Sequence, residues 1–293
     1  MKDKLYIIGN GFDLAHYIKS KYLDFMNYCR DNACEYFCVM NYLYDDRDKL
    51  WSRFEEELPN ISKDKFKSLI ERYIKPYYWK TRGSGCCELA IEDIVDYLWP
   101  NIEFRDWVYS IDISNRTRLI EFDPETSLFL SFNYTKTLEA MYGIPDKDIL
   151  YIHGKFTKDN GLDVNAITVG HGMSAEEVDR KFGNDDDEIT NELKDLVNHF
   201  RKDTNKIIND NADFWSSLKD VNEVYVFGHS MADVDLPYFK KVKESIKPDA
   251  SWHISVHKDE EIPVMKQNAI DNLLLPDDKV CVKTFEDFCG YES

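Results

Sequence analysis

The chain has 293 residues, enough to bury a large core in one extended domain or two small ones. A hydrophobic content of 43%, with 14% aromatics, excludes an intrinsically disordered chain. The net charge of −18, with basic residues scattered in short pairs such as Lys240-Lys241, disfavours nucleic acid as principal partner, because an acidic surface repels phosphates.

Residues 4–13 read KLYIIGNGFD. The apolar run Leu5 to Ile8 predicts a first strand, which breaks at Gly9-Asn10-Gly11 before a helix-compatible segment from Phe12. Glycines at the carboxyl end of a strand let the backbone approach a phosphate, and the N–H groups of the next helix then face the anion. Leu14 stands where the dinucleotide fingerprint has its third glycine, so this is not a standard dehydrogenase motif.

Residues from about 16 to 122 carry few strand signals and read as a helical insertion. Tyr22, Phe25, Met26 and Cys29 fall at helical spacing, as do Trp51, Phe54, Glu55 and Leu58. The aromatics of this set are expected to be core. Pro59 and Pro76 punctuate the stretch, residues 82–85 read as a loop, and a helix is predicted over 88–98 with Pro100 closing it.

The sheet resumes at 127–132, with short strands predicted at 149–152 and 166–169. Residues 173–220 form a second, highly charged helical insertion, with residues 185–187 a solvated loop or helix start. Further strands are predicted at 223–227, 251–256 and 279–284, with a helix at about 259–272. Strands separated by helices predict an α/β fold, a Rossmann-like doubly wound, mostly parallel sheet. The expectation is a single α/β domain over 1–293 carrying both insertions.

No apolar run approaches the length of a bilayer span. The first residues lead straight into a strand without the apolar core of a signal peptide. Seven cysteines without a C-x-x-C spacing fit reduced thiols in a cytoplasm and no structural zinc. Cys34 and Cys38 are expected to pack against neighbours rather than bind metal.

Four polar clusters each follow an apolar strand: Gly9 to Asp13, Asn133-Tyr134-Thr135, His153-Gly154 and Gly228-His229-Ser230. Gly170-His171-Gly172 is a candidate fifth. In open parallel sheets ligands bind beyond the carboxyl ends of the strands, so clusters far apart in sequence can meet in one crevice. Each has a plainer alternative. Gly9 and Gly11 can mark only a tight turn, Asn133 a helix N-cap, and Asp233 and Asp235 the favoured acids of a helix start. A Ser-His-Asp hydrolase is set aside, because Ser230 lacks the second glycine of a G-x-S-x-G elbow.

The run from Leu5 to His16 resembles the N-terminal signature of the AbiH family of phage abortive-infection proteins. Ser131 to Thr135, Tyr151 to Gly154 and Phe227 to Ser230, followed by Asp235 and Tyr238-Phe239, resemble its later blocks. Trp51-Ser52-x-Phe54-Glu55 also looks familial. More distantly, the block order resembles sirtuin-like domains, including NAD-cleaving ones used in antiphage defence. That resemblance implies Asn133 and His153 as catalytic residues, with Gly228 and Ser230 in a late nucleotide-binding turn. Thr135 departs from it, standing where an Asp is usual, and the missing C-x-x-C pairs rank deacylation below NAD cleavage.

The activity expected is antiphage defence through an NAD glycohydrolase, the alternative being a nucleotide sensor that binds without cleaving. Asn133, His153 and Asp13 are the expected catalytic residues. Gly9, Asn10, Gly11, Phe12, Gly154, Gly228, His229, Ser230 and Asp235 are the expected nucleotide contacts, with NAD as substrate and no required cofactor or metal. An RNA-cleaving toxin using His153 and His229 is the third reading, and the charge balance opposes it. A protein partner or phage trigger and a second copy of the chain stay open as partners. No membrane partner is expected, and the helical insertion after Leu14 is a candidate lid.

Overall fold

A computed structural model describes residues 1–74, 98, 101–155, 167–183 and 187–290. The strands are β1 (Lys4–Ile8), β2 (Ser127–Ser131), β3 (Ile149–Tyr151), β4 (Glu223–Phe227), β5 (Ser251–Val256) and β6 (Val280–Thr284). They form one sheet in the order β3-β2-β1-β4-β5-β6, and every neighbouring pair is parallel. This is the strand order of a Rossmann-like doubly wound sheet, whose switch point lies between β1 and β4.

Side chains alternate across a strand, so each strand feeds two cores. Leu5 and Ile7 join Leu128, Leu130, Val224 and Val226 on one face, covered by Tyr238, Phe239 and Val242 of the helix Leu236–Ser245. Tyr6 and Ile8 join Phe129 and Phe227 on the other, covered by Phe12 and by Leu138, Met141 and Tyr142 of the helix Thr137–Tyr142. Tyr6 stacks between Phe129 and Tyr225 at centroid distances of 5.3 and 4.9 Å. Strands covered on both faces read as unbroken apolar runs, which is why they stand out in the sequence. Truncating a wholly buried ring such as Phe129 to alanine is expected to cost about 3–5 kcal/mol.

Register fixes what emerges from the sheet. Ile8 lies beside both Ser131 and Phe227, and Ser131 lies beside Tyr151. The chain therefore leaves four neighbouring strands at one level, delivering Gly9, Phe132, Gly228 and Ile152 to a common edge.

The chain divides into two compact units. One comprises Met1–Ser20, Val108–Ile167 and Asp203–Ser293 and holds the sheet. The other, Lys21–Trp107 and Thr168–Lys202, is helical. At its centre Phe25 meets Phe54, Phe104 and Trp107 at 5.1–5.2 Å, with Trp51 at 5.9 Å. Phe25, Trp51 and Phe54 are core, as the sequence implied, while Tyr22 is half-buried. In the same unit the Lys202 ammonium lies 2.8 Å from Glu55, whose carboxylate also accepts from the Tyr22 hydroxyl and the Gly170 N–H. The Lys202 side chain is 1% exposed, so this pair is desolvated and holds Thr168–Lys202 to the helices around it.

Three expectations change. The strand expected at 166–169 is, among the described residues, a single antiparallel bridge between Ile167 and Gly154. Gly170-His171-Gly172 therefore follows no sheet strand and belongs to the helical unit. There His171 Nε2 donates to the Val197 carbonyl while its Nδ1 accepts from the Met173 N–H. Gly170 is required because an added Cβ would lie 2.1 Å from the Phe200 oxygen. Cys34 and Cys38, expected to pack against neighbours, are exposed on the helix Cys34–Leu43, whose buried side carries Tyr36, Met40 and Leu43. Pro76, the loop at 82–85 and Pro100 lie outside the described residues, as does the helix expected at 88–98 except for Leu98, which is helical. Asp187 starts its helix as an N-cap, its side chain accepting from the Thr190 N–H. Among the described residues no helix is long and apolar enough to cross a membrane.

Candidate functional site

The two glycine turns at the switch point interlock. Gly9 donates its N–H to the Phe227 carbonyl at 2.9 Å, and Gly11 donates to the Gly228 carbonyl at 2.8 Å. An added Cβ on Gly9 would lie 2.6 Å from the Gly228 oxygen, and one on Gly11 2.7 Å from the Gly228 Cα. Gly228 itself has φ +65°, and a Cβ there would lie 2.1 Å from the Phe12 nitrogen. The glycines thus serve a backbone-to-backbone crossing, and the Gly11 N–H is already satisfied. From β5, the Ser255 hydroxyl accepts the Gly228 N–H at 3.1 Å and fixes the second turn. Asn10 is exposed. Its amide donates to the Ser20 carbonyl and accepts from the Ser20 hydroxyl, closing the loop after the helix Asn10–Ala15.

That helix buries Phe12 and Asp13. Phe12 packs in the core at 0% exposure, so it supports the turn from beneath. Asp13 is also wholly buried, and the Thr135 hydroxyl donates to its Oδ2. The second oxygen, Oδ1, has no hydrogen-bond partner in the described structure, and neither has the amide of Asn133. Burial pushes the Asp13 carboxyl up to about 6, with the Thr135 and Thr137 hydroxyls pulling the other way. The Asn133 amide favours the carboxylate from outside hydrogen-bonding geometry. Thr135 is therefore a neutral donor where a second carboxylate would have repelled Asp13.

The imidazoles of His153 and His229 face one carboxylate. His229 Nε2 lies 3.4 Å from Asp235 Oδ2, and His153 Nε2 lies 3.8 Å from Oδ1. The Met231 N–H donates to His229 Nδ1 at 2.9 Å, so in the neutral ring the proton sits on Nε2 and points at Asp235. Met231 adopts φ +55°, a strained conformation for a buried methionine, and this kink presents its N–H to the ring. Asp235 occupies the N-cap position of Leu236–Ser245 without a side-chain capping bond, so its carboxylate is directed elsewhere.

Phe132 joins these groups. Its ring meets His229 at 4.3 Å and His153 at 5.5 Å, both edge-on. Asn133 follows it directly, and Thr135, the partner of Asp13, stands two residues further on. Asn133 and His153 leave adjacent strands two residues past the paired positions Ser131 and Tyr151, so they share the carboxyl edge. Gly154 turns the chain at φ +76°, donating its N–H to the Tyr151 carbonyl at 2.9 Å. Ser230 is exposed beside His229. His16 has a structural role: its Nδ1 donates to the Phe12 carbonyl, so its Nε2 accepts from Tyr142.

The edge therefore offers a pair of imidazoles able to move a proton, a carboxylate to stabilise an imidazolium, a carboxamide and a buried carboxyl poised near neutrality. No group of three or more His, Cys, Asp or Glu among the described residues is arranged to hold a metal. The family model described as Bacteriophage abortive infection AbiH matches residues 5–256. No curated protein and no solved structure matches the chain.

Proposed function

The chain belongs to the AbiH family of bacteriophage abortive infection proteins, and on that premise we propose that its sheet edge splits the nicotinamide–ribose bond of NAD. One observation carries this reading: His153 and His229 face Asp235 at the switch-point edge that also holds Asn133 and Asp13. The distant likeness of the block order to sirtuin-like NAD-cleaving domains supports it.

In this reaction the C–N bond between ribose and nicotinamide breaks, and a water oxygen bonds to the ribose carbon. Nicotinamide leaves neutral, and the proton lost by water must be taken up. His153 accepts it, and Asp235 stabilises the imidazolium, a contribution of roughly 10²–10⁴ in rate. The Asn133 carboxamide orients the water or the ribose hydroxyls. Ionised Asp13 favours the positive charge that develops on the ribose, so the site works with Asp13 deprotonated, above about pH 6. Gly9, Gly154, Gly228 and Ser230 shape the turns along which the dinucleotide would lie.

The closed state of this edge favours a second reading, in which the nucleotide is sensed and not split. Asn133, His153 and His229 are each less than a tenth exposed, so a ligand enters only after the edge opens. Purified protein incubated with NAD separates the readings. Release of nicotinamide that is lost in His153→Ala supports hydrolysis. Calorimetric binding with no product supports sensing, and neither binding nor product overturns both.

A further inference from the structure

In the sheet-bearing unit, the helices Thr204–Asp210, Ala212–Ser217 and Leu236–Ser245 border a cleft of about 340 Å³. Its apolar lining comes from Ile208, Ala212 and Trp215. The indole is fixed by donation of its N–H to the Ile208 carbonyl at 2.8 Å, and Trp215 is 3% exposed. Lys219 and Lys241 supply charge, neither forms an ion pair among the described residues, and no carboxylate lines the cleft. In a chain with 55 acidic and 37 basic residues, a cleft lined by two lysines and no carboxylate is a local reversal of charge. The Ser245 and Ser216 hydroxyls are spent on the Lys241 and Ala212 carbonyls, so the two lysines and the Asn209 carboxamide are the recognition elements.

We propose that this cleft binds a small organic anion with an apolar body, the anionic group held by Lys219 and Lys241 and the body against Ile208 and Ala212, which Trp215 backs from the core. The volume lies at the lower end of the range for small-molecule sites. A bare inorganic anion would leave the apolar floor wetted, and a neutral aromatic would leave the ammonium groups without a partner. The site stands independently of the NAD reading. It shares one element with the histidine cluster: Lys241 lies six residues beyond Asp235 on the same helix, about 9 Å along its axis.

Calorimetry on the full chain with 1-naphthyl phosphate, 1-naphthol and inorganic phosphate tests this directly. Saturable binding of 1-naphthyl phosphate is expected, with each fragment at least tenfold weaker. Lys219→Gln combined with Lys241→Gln should weaken the ester at least tenfold while leaving the melting temperature unchanged. Equal binding of the neutral naphthol, affinity unchanged by the double substitution, or no binding of the ester would each overturn the proposal.

Discussion

Thr135 donates its hydroxyl to Oδ2 of Asp13 across 122 positions of sequence, joining the turn after β2 to the first helix. The bond ties a buried acid to the same segment that carries Phe132 and Asn133. Its energetic consequence follows from burial. The Asp13 carboxyl rises from 3.8 to about 6 on folding, so the native state holds that proton more tightly than the unfolded chain. Asp13 therefore destabilises the fold progressively as pH rises from about 4 to 6, by about 3 kcal/mol when fully ionised. Asp13→Asn should raise the melting temperature at pH 8, and the gain should vanish below pH 4. The same variant should lose NAD cleavage, because the ionised form stabilises charge on the ribose. Thermal melts at both pH values, with nicotinamide release at pH 8, check both halves.

Thr135→Val removes the hydroxyl at nearly constant volume. The buried carboxylate loses a charge-assisted bond, which costs about 1–3 kcal/mol at neutral pH. The acid limb of the activity profile should move to higher pH, since the ionised form of Asp13 loses support. A limb unmoved from near pH 6 would detach it from Asp13.

The crossing of the glycine turns leaves no room for a side chain. Gly228→Ala meets both a positive φ and a Cβ 2.1 Å from the Phe12 nitrogen. Denaturant unfolding should report a loss of about 3 kcal/mol or more, because backbone and not a flexible side chain must yield. A variant as stable as the parent would mean that the turns separate easily.

Much of this architecture is legible in the sequence. The sheet is visible because parallel strands buried on both faces read as unbroken apolar runs, and 223–227 and 251–256 match their strands end to end. The site clusters are visible because they follow those runs. The run at 166–169 misleads because four apolar or β-branched residues look the same whether they pair along a sheet or make one bridge. The pairing of Asp235 with two imidazoles has no local signature, since a carboxylate at a helix start reads equally well as a cap. Glu55 and Lys202 are hidden for the same reason: only the folded helical unit brings them to 2.8 Å.

That buried pair is open to a direct stability test. Glu55→Ala removes this carboxylate from beside the buried Lys202 ammonium and should cost about 3–5 kcal/mol in denaturant unfolding. Glu55→Leu combined with Lys202→Met should recover part of it, since removing both charges removes the desolvation penalty while the Gly170 N–H and the Tyr22 hydroxyl still lose their acceptor. A double variant no better than the single would show that shape at Gly170, not charge, holds the segment.

Asp235→Asn keeps the shape between the imidazoles and removes the charge. Turnover should fall roughly hundredfold with KM for NAD nearly unchanged, because the imidazolium formed at His153 loses its counter-charge. Equal changes in both parameters would make Asp235 a binding residue.

The most direct measurement is intracellular NAD in bacteria expressing the parent chain or His153→Ala, with and without phage. The account expects NAD to collapse only in infected cells carrying the parent chain, with His153→Ala folded by circular dichroism and NAD preserved. Abortive infection that proceeds while NAD stays level, or an equal collapse in the His153→Ala strain, would contradict it.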